Sequence, residues 1–74
     1  MATRNREKPD LKAIGSRVRH LRGEMLQEEL ANYLCISQGQ LSKIEGGKIA
    51  PTVDVLFTLS EKFGKSIEWI LRGK

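Results

Sequence analysis

The hydrogen-bonding chemistry of this 74-residue chain gathers between positions 37 and 48, in Ser37, Gln38, Gly39, Gln40, Ser42, Lys43 and Lys48. A glutamine amide both donates and accepts, as a paired contact with an adenine edge requires, and lysine adds a positive charge. Catalysis finds no comparable set. His20 and Cys35 are the sole residues of their types, so a tetrahedral zinc site lacks ligands and no intramolecular disulfide framework exists. No glycine loop of the phosphate-cradling kind occurs either. The expectation is a binding protein rather than an enzyme, without metal or cofactor.

These residues need elements to position them, and the apolar spacing supplies those elements. Leu11, Ile14, Val18 and Leu21 recur at helical intervals, Gly23 ends that first helix, and Glu24 lies in the turn. A second short helix is expected from about Leu26 to Leu34, with Leu30, Ala31 and Leu34 inward. Cys35-Ile36-Ser37 leaves room only for a tight turn. Ser37 then opens a third helix, and Gln40 sits at capping-box spacing from it. Leu41 and Ile44 form the buried stripe of that helix, so Gln38, Gly39, Ser42 and Lys43 point outward, and Gly46-Gly47 stops it.

Thr52 caps a fourth helix, with Asp54 in the first turn and Val55, Leu56, Leu59 and Phe63 on its apolar face. Gly64 ends it. Ser66 caps a fifth helix containing Ile67, Trp69, Ile70 and Leu71, with Gly73 as its stop. The fold class is therefore all-α, five helices in residues 11–74. Residues 1–10 read as a flexible basic arm carrying Arg4, Arg6 and Lys8.

Thirteen Lys and Arg against nine Asp and Glu give a formal net charge of +4, which favours a polyanionic partner without identifying one. No apolar run approaches the roughly 20 residues of a membrane span, and the N-terminus lacks the apolar core of a secretory signal. A cytoplasmic setting is expected. A core of this size rarely contributes more than about 3–5 kcal/mol net, so a second subunit is an expected aid.

Two short helices joined by a tight turn form a helix-turn-helix, here helices two and three. At this point the sequence resembles the Cro/cI-type repressor DNA-binding domains of phage and bacterial regulators. The resemblance runs from about Ile14 to Gly73. Its strongest stretches are Gln27-Glu28-Glu29-Leu30-Ala31, Ile36-Ser37-Gln38, Leu41-Ser42-Lys43-Ile44-Glu45, Gly47-Lys48, Pro51-Thr52 and Ile67-Glu68-Trp69-Ile70-Leu71-Arg72-Gly73. It implies a compact lambda-repressor-like fold whose third helix enters a major groove of double-stranded DNA. It also implies that Gln38, Gly39 and Lys43 face base edges, and that Gln27 and Lys48 meet the phosphate backbone. Gln40 and Ser42 are further backbone candidates. Arg22 and Glu45 match a charged pair that ties helix one to helix three.

The implied function is transcriptional regulation, as a repressor that dimerises on an inverted-repeat operator. The alternative is an antitoxin or protein-interaction module that binds a partner protein, such as a toxin, and controls its own promoter. Several positions carry a bland reading beside the functional one. Gln38, Lys43 and Gln27 are also plausible as ordinary exposed residues, and Gln40 as a cap alone. Arg17 and Arg19 either touch the DNA backbone or lie on a solvated face. The arm either wraps the duplex or does nothing. Cys35 reads as a small, semi-buried residue, and Trp69 and Ile70 as mostly core, with an exposed part of that helix a natural dimer contact.

The chain also departs from the family. Cys35 stands where a glycine usually takes positive φ, at a cost on the order of 1 kcal/mol. Leu26 replaces the common serine or threonine cap, and Gly39 lacks the side chain that relatives use. Gly46, Ile49 and Ala50 stand where relatives often carry polar or basic groups, so fewer backbone contacts and a shallower salt dependence are expected.

Overall fold

A computed structural model describes residues 8–74 of the chain. Among them run five helices, α1 (Leu11–Arg22), α2 (Gln27–Leu34), α3 (Gln38–Glu45), α4 (Val53–Phe63) and α5 (Ile67–Arg72). Arg4 and Arg6 of the expected arm lie outside the described residues. Asp10, placed in that arm by the sequence, belongs to the helix instead: its Oδ1 accepts from the Ala13 N–H at 3.1 Å and so caps α1.

Each start follows from local chemistry. Ser37, Thr52 and Ser66 cap α3, α4 and α5 with their hydroxyls. The second helix opens at Gln27 with Leu26 in the cap position, as expected. Leu26 is extended (φ −70°, ψ 147°) and has no side-chain acceptor; only its own N–H is satisfied, by Glu29 Oε1 at 3.1 Å.

Ile14 and Val18 of α1, Leu30, Ala31 and Leu34 of α2, Leu41 and Ile44 of α3, Val55, Leu56 and Leu59 of α4, and Ile70 of α5 make one core. An isolated helix of eight residues is marginal in water, so α3 depends on its two anchors. Burying a side chain such as Leu41 contributes about 1.5–3 kcal/mol, which exceeds anything the helix gains by itself.

Helices α1 and α3 meet at Gly15, which is buried. A Cβ there would lie 2.6 Å from the Glu45 carbonyl oxygen and close also to that of Ile44. Gly15 lies four residues after Leu11 and three before Val18, on the inner stripe of α1, where it lets the C-terminal end of α3 approach backbone to backbone. Arg17 joins α1 to α5 by donating from Nη1 to the Ile70 carbonyl at 2.8 Å. That bond makes Arg17 a tie between helices rather than a group on a purely solvated face.

The turn between α2 and α3 is closed by the Cys35 N–H on the Asn32 carbonyl (3.1 Å) and the Ile36 N–H on that of Ala31 (3.0 Å). This geometry requires a left-handed residue, and Cys35 takes it at φ 60°, ψ 39°. The expectation of a semi-buried Cys35 is corrected: its side chain is exposed, because a left-handed residue at the outer bend of the turn faces solvent.

Two stability measurements follow. Gly15→Ala forces α1 and α3 apart and should cost at least the roughly 1–3 kcal/mol of an overpacked core; thermal melting at wild-type level would show that the helices do not meet there. Cys35→Gly relieves a left-handed strain of roughly 1–2 kcal/mol against a glycine entropy cost of about 0.5–1 kcal/mol. A net gain of about 0.5–1 kcal/mol in urea unfolding is expected.

Candidate nucleic-acid interface

With Leu41 and Ile44 buried, the opposite side of α3 presents Gln38, Gly39, Ser42 and Lys43, all exposed. Gly39 is helical, and a Cβ there would meet only Ser37 Oγ at 3.8 Å, so the missing side chain leaves this part of the surface low-relief. Gln40 is also exposed, yet its Oε1 accepts from the Ser37 N–H at 3.0 Å while Ser37 Oγ accepts from the Gln40 N–H at 3.0 Å. That is the reciprocal cap its spacing predicts. It occupies the amide oxygen and leaves the amide N–H groups to face outward.

The end of α3 fixes Lys48. The Gly47 N–H donates to the Ile44 carbonyl (3.1 Å) and the Lys48 N–H to that of Lys43 (2.8 Å), with Gly47 left-handed at φ 75°. A Cβ on Gly47 would meet Lys12 Cα at 2.8 Å. The helix stop therefore also seats the loop against α1 and places exposed Lys48 just beyond the helix.

Behind this face lies a polar cluster that joins three helices. Arg22 Nε donates to Glu45 Oε2 at 2.7 Å and Arg22 Nη2 to Glu45 Oε1 at 3.0 Å, a two-pronged ion pair between α1 and α3. Arg22 Nη1 donates to the Met25 carbonyl at 2.7 Å, holding the link to α2. Glu45 Oε1 accepts a further bond from Gln27 Nε2 at 2.9 Å. Gln27 Oε1 in turn accepts from Gln38 Nε2 at 3.5 Å, the outer limit for such a bond.

Gln27, half-buried at the start of α2, therefore turns its side chain along the α2–α3 seam. One of its N–H groups is engaged, and the N–H groups of the first turn of α2 remain without a side-chain cap. The sequence identified each member of this cluster but not its connection through Gln27. Side-chain direction is a tertiary property, and the only hint was a glutamine opening each of two consecutive short helices.

The Glu45 hydrogen bond raises the Arg22 guanidinium above its ordinary range; burial opposes this, and charge attraction adds to it. A raised base contributes stability wherever it stays protonated, and that contribution is lost only as pH climbs through the strongly alkaline range.

Helix α5 is core at Ile70, as expected, and leaves Leu71 exposed. Ile70 is fully buried, and its carbonyl receives the Arg17 bond. The large apolar groups most open to solvent among the described residues are Val53 (76%), Leu26 (63%) and Phe57 (58%), with Val53 and Phe57 four residues apart on α4. Among the described residues, no cluster of His, Cys, Asp and Glu suits a metal ion, and no helix is long and apolar enough to cross a membrane.

Residues 19–70 match the helix-turn-helix family model. No curated protein sequence matches the chain. Solved structures do. The chain is similar to the P22 c2 repressor bound to a synthetic operator, with a TM-score of 0.76, 25% identity, and coverage of 82% of this chain and 96% of that one. It is similar to the clp gene regulator ClgR of Corynebacterium glutamicum at a TM-score of 0.72 and 25% identity, covering 88% and 71% of the two chains. The restriction-modification controller C.AhdI of Aeromonas hydrophila shares the fold, with a TM-score of 0.72, 22% identity, and coverage of 84% and 97%.

Removing one partner of a poorly hydrated ion pair strands the other. Glu45 is only 5% exposed at its side chain, so Arg22→Met should cost roughly 3 kcal/mol, a large part of the stability of so small a domain. Urea unfolding within 0.5 kcal/mol of the parent would mean that solvent relieves the carboxylate.

Proposed function

The chain belongs to the Cro/cI-type helix-turn-helix family, and from that premise we propose that it is a transcriptional regulator whose α3 enters the major groove of double-stranded DNA. The observation that carries the reading is the division of α3 into two sides. Leu41 and Ile44 hold it to the core, and the side bearing Gln38, Gly39, Ser42 and Lys43 is exposed, its one side-chain bond to the rest of the fold being that of Gln38 to Gln27. An α-helix with short polar side chains fits a groove about 12 Å wide, lined by donors and acceptors.

Gln38 and Lys43 read base edges, and Gly39 lets the helix approach the groove floor. Lys48, Ser42 and the amide N–H groups of Gln40 contact phosphates, which orient the protein without selecting sequence. The N-terminal turn of α2 at Gln27 meets a further phosphate, where free N–H groups and the positive helix end favour an anion. The net charge of +4 assists association with any duplex. The synthetic operator bound by the P22 c2 repressor supports the same role here.

The protein acts as a repressor by occupying an operator. One α3 spans too few base pairs to single out a site in a genome, so two copies bind an inverted repeat with their α3 helices about 34 Å apart, one DNA turn. Val53 and Phe57, neutral and exposed on one face of α4, supply apolar area for the contact between copies.

Selection from random duplex DNA at a stated salt concentration, with sedimentation of the complex, tests the proposal. The expected outcome is an inverted repeat carrying two protein chains; enrichment of no sequence would sink it. On the selected site, Gln38→Ala or Lys43→Ala should reduce discrimination at single base pairs by roughly 1–3 kcal/mol. Lys48→Ala should instead weaken all duplexes alike and lower the slope of log K against log salt by about one.

A further inference from the structure

We infer that Glu45, which does not face the DNA side of α3, is a positioning residue for base selection, acting through Gln27 on the amide of Gln38. The inference rests on the proposed reading of Gln38 as a base contact and adds what aims it.

The argument starts from the chemistry of the acceptor. An ionised carboxylate has no hydrogen to give, so any amide side chain meeting Glu45 must present nitrogen. The two-pronged bond from Arg22 fixes the positions of both Glu45 oxygens. Gln27 therefore has one allowed orientation, Nε2 toward Glu45 at 2.9 Å and Oε1 the other way. That oxygen lies 3.5 Å from Gln38 Nε2. Being an acceptor, it admits Gln38 in one orientation only, with nitrogen facing Gln27. A carbonyl-to-carbonyl approach is repulsive.

The polarity set at Glu45 thus passes through two amides to the start of α3. At 3.5 Å the last bond contributes little energy, and its effect lies in direction. Gln38 keeps one free N–H and its Oε1, in a fixed order, to offer outward. Adenine presents N7 as acceptor and N6 as donor, and only one order of donor and acceptor matches them. An amide without this restraint turns over and also meets edges arranged the opposite way. The arrangement couples the ion pair that locks α1 to α3 to the side chain that reads the base.

The test uses the whole chain and its selected duplex. Gln38→Ala first identifies the base pair read by that residue, as the one where discrimination is lost. The ratio of affinities for the preferred base and the other three at that pair is then measured at one salt concentration. Gln27→Met removes the relay and leaves the Arg22–Glu45 pair in place. Glu45→Gln keeps the shape but can offer either end of its amide.

Both variants should lower the ratio roughly fivefold or more, the low end of what a paired contact contributes. Ile70→Val, a core change away from the cluster, should lower the melting temperature and leave the ratio unchanged. That control separates loss of stability from loss of aim. Uniformly weaker binding by Gln27→Met with an unaltered ratio overturns the relay and leaves Gln27 as a phosphate contact. If Glu45→Gln does not fold, the Gln27→Met ratio alone decides. A wild-type protein that selects no duplex at all overturns the proposed function itself, a result distinct from failure of the relay.

Discussion

A carboxylate held largely out of water must be given hydrogen-bond donors, and the way Glu45 receives them organises the functional half of this fold. Its side chain is 5% exposed, and its donors come from Arg22 at the end of α1 and Gln27 at the start of α2. Desolvating a charge costs several kcal/mol, recovered only when the geometry is good and every lone pair finds a partner. Close approach of the helices is therefore a condition of the pair. Gly15 meets that condition by letting the Glu45 end of α3 come against the backbone of α1. The ion pair and the glycine are two parts of one contact, one polar and one steric.

That contact matters because α3 is short. Eight residues do not hold a helix together in water, and α3 is kept by Leu41 and Ile44 below, the Ser37–Gln40 cap at one end, and the Gly46-Gly47 stop at the other. Every restraint lies on the core side or at the ends, and none uses the outward face. A rigid element with an uncommitted polar face needs little rearrangement on meeting a ligand, and this keeps the ordering cost of binding small.

Much of this was legible in the residues. Asp10 apart, the caps, stops and inner stripes follow from short-range chemistry that a sequence displays directly. The left-handed turn at Cys35 was also foreseeable, since a glycine is usual there and the turn bonds admit no other backbone. The rest depends on long-range contacts. Arg17 reads as one more surface cation until α5 brings the Ile70 carbonyl to it 53 residues away. Gln27 reads as an outward group at a helix start until Glu45 draws it along the seam. Val53 and Phe57 escaped notice because an apolar residue on a helix is read as core, and spacing alone does not show that the inner stripe of α4 is filled by Val55, Leu56 and Leu59. Gly15 was within reach: a glycine on the buried stripe of a helix marks close approach.

The same separation explains how one scaffold serves regulators that share about a quarter of their residues. The chain and the P22 c2 repressor overlay at a TM-score of 0.76 with 25% identity. Buried positions such as Leu41, Ile44 and Gly15 are bound by volume and approach distance, and change there disturbs every helix in contact. Positions 38, 39, 42 and 43 are exposed, so most of their identities can vary without strain on the core. Gln38 is the exception within that set. Its amide meets Gln27, and through it the buried carboxylate, so a change at 38 is felt behind the surface in a way that a change at 43 is not. The outward face of α3 is thus free at most positions and tied to the interior at one.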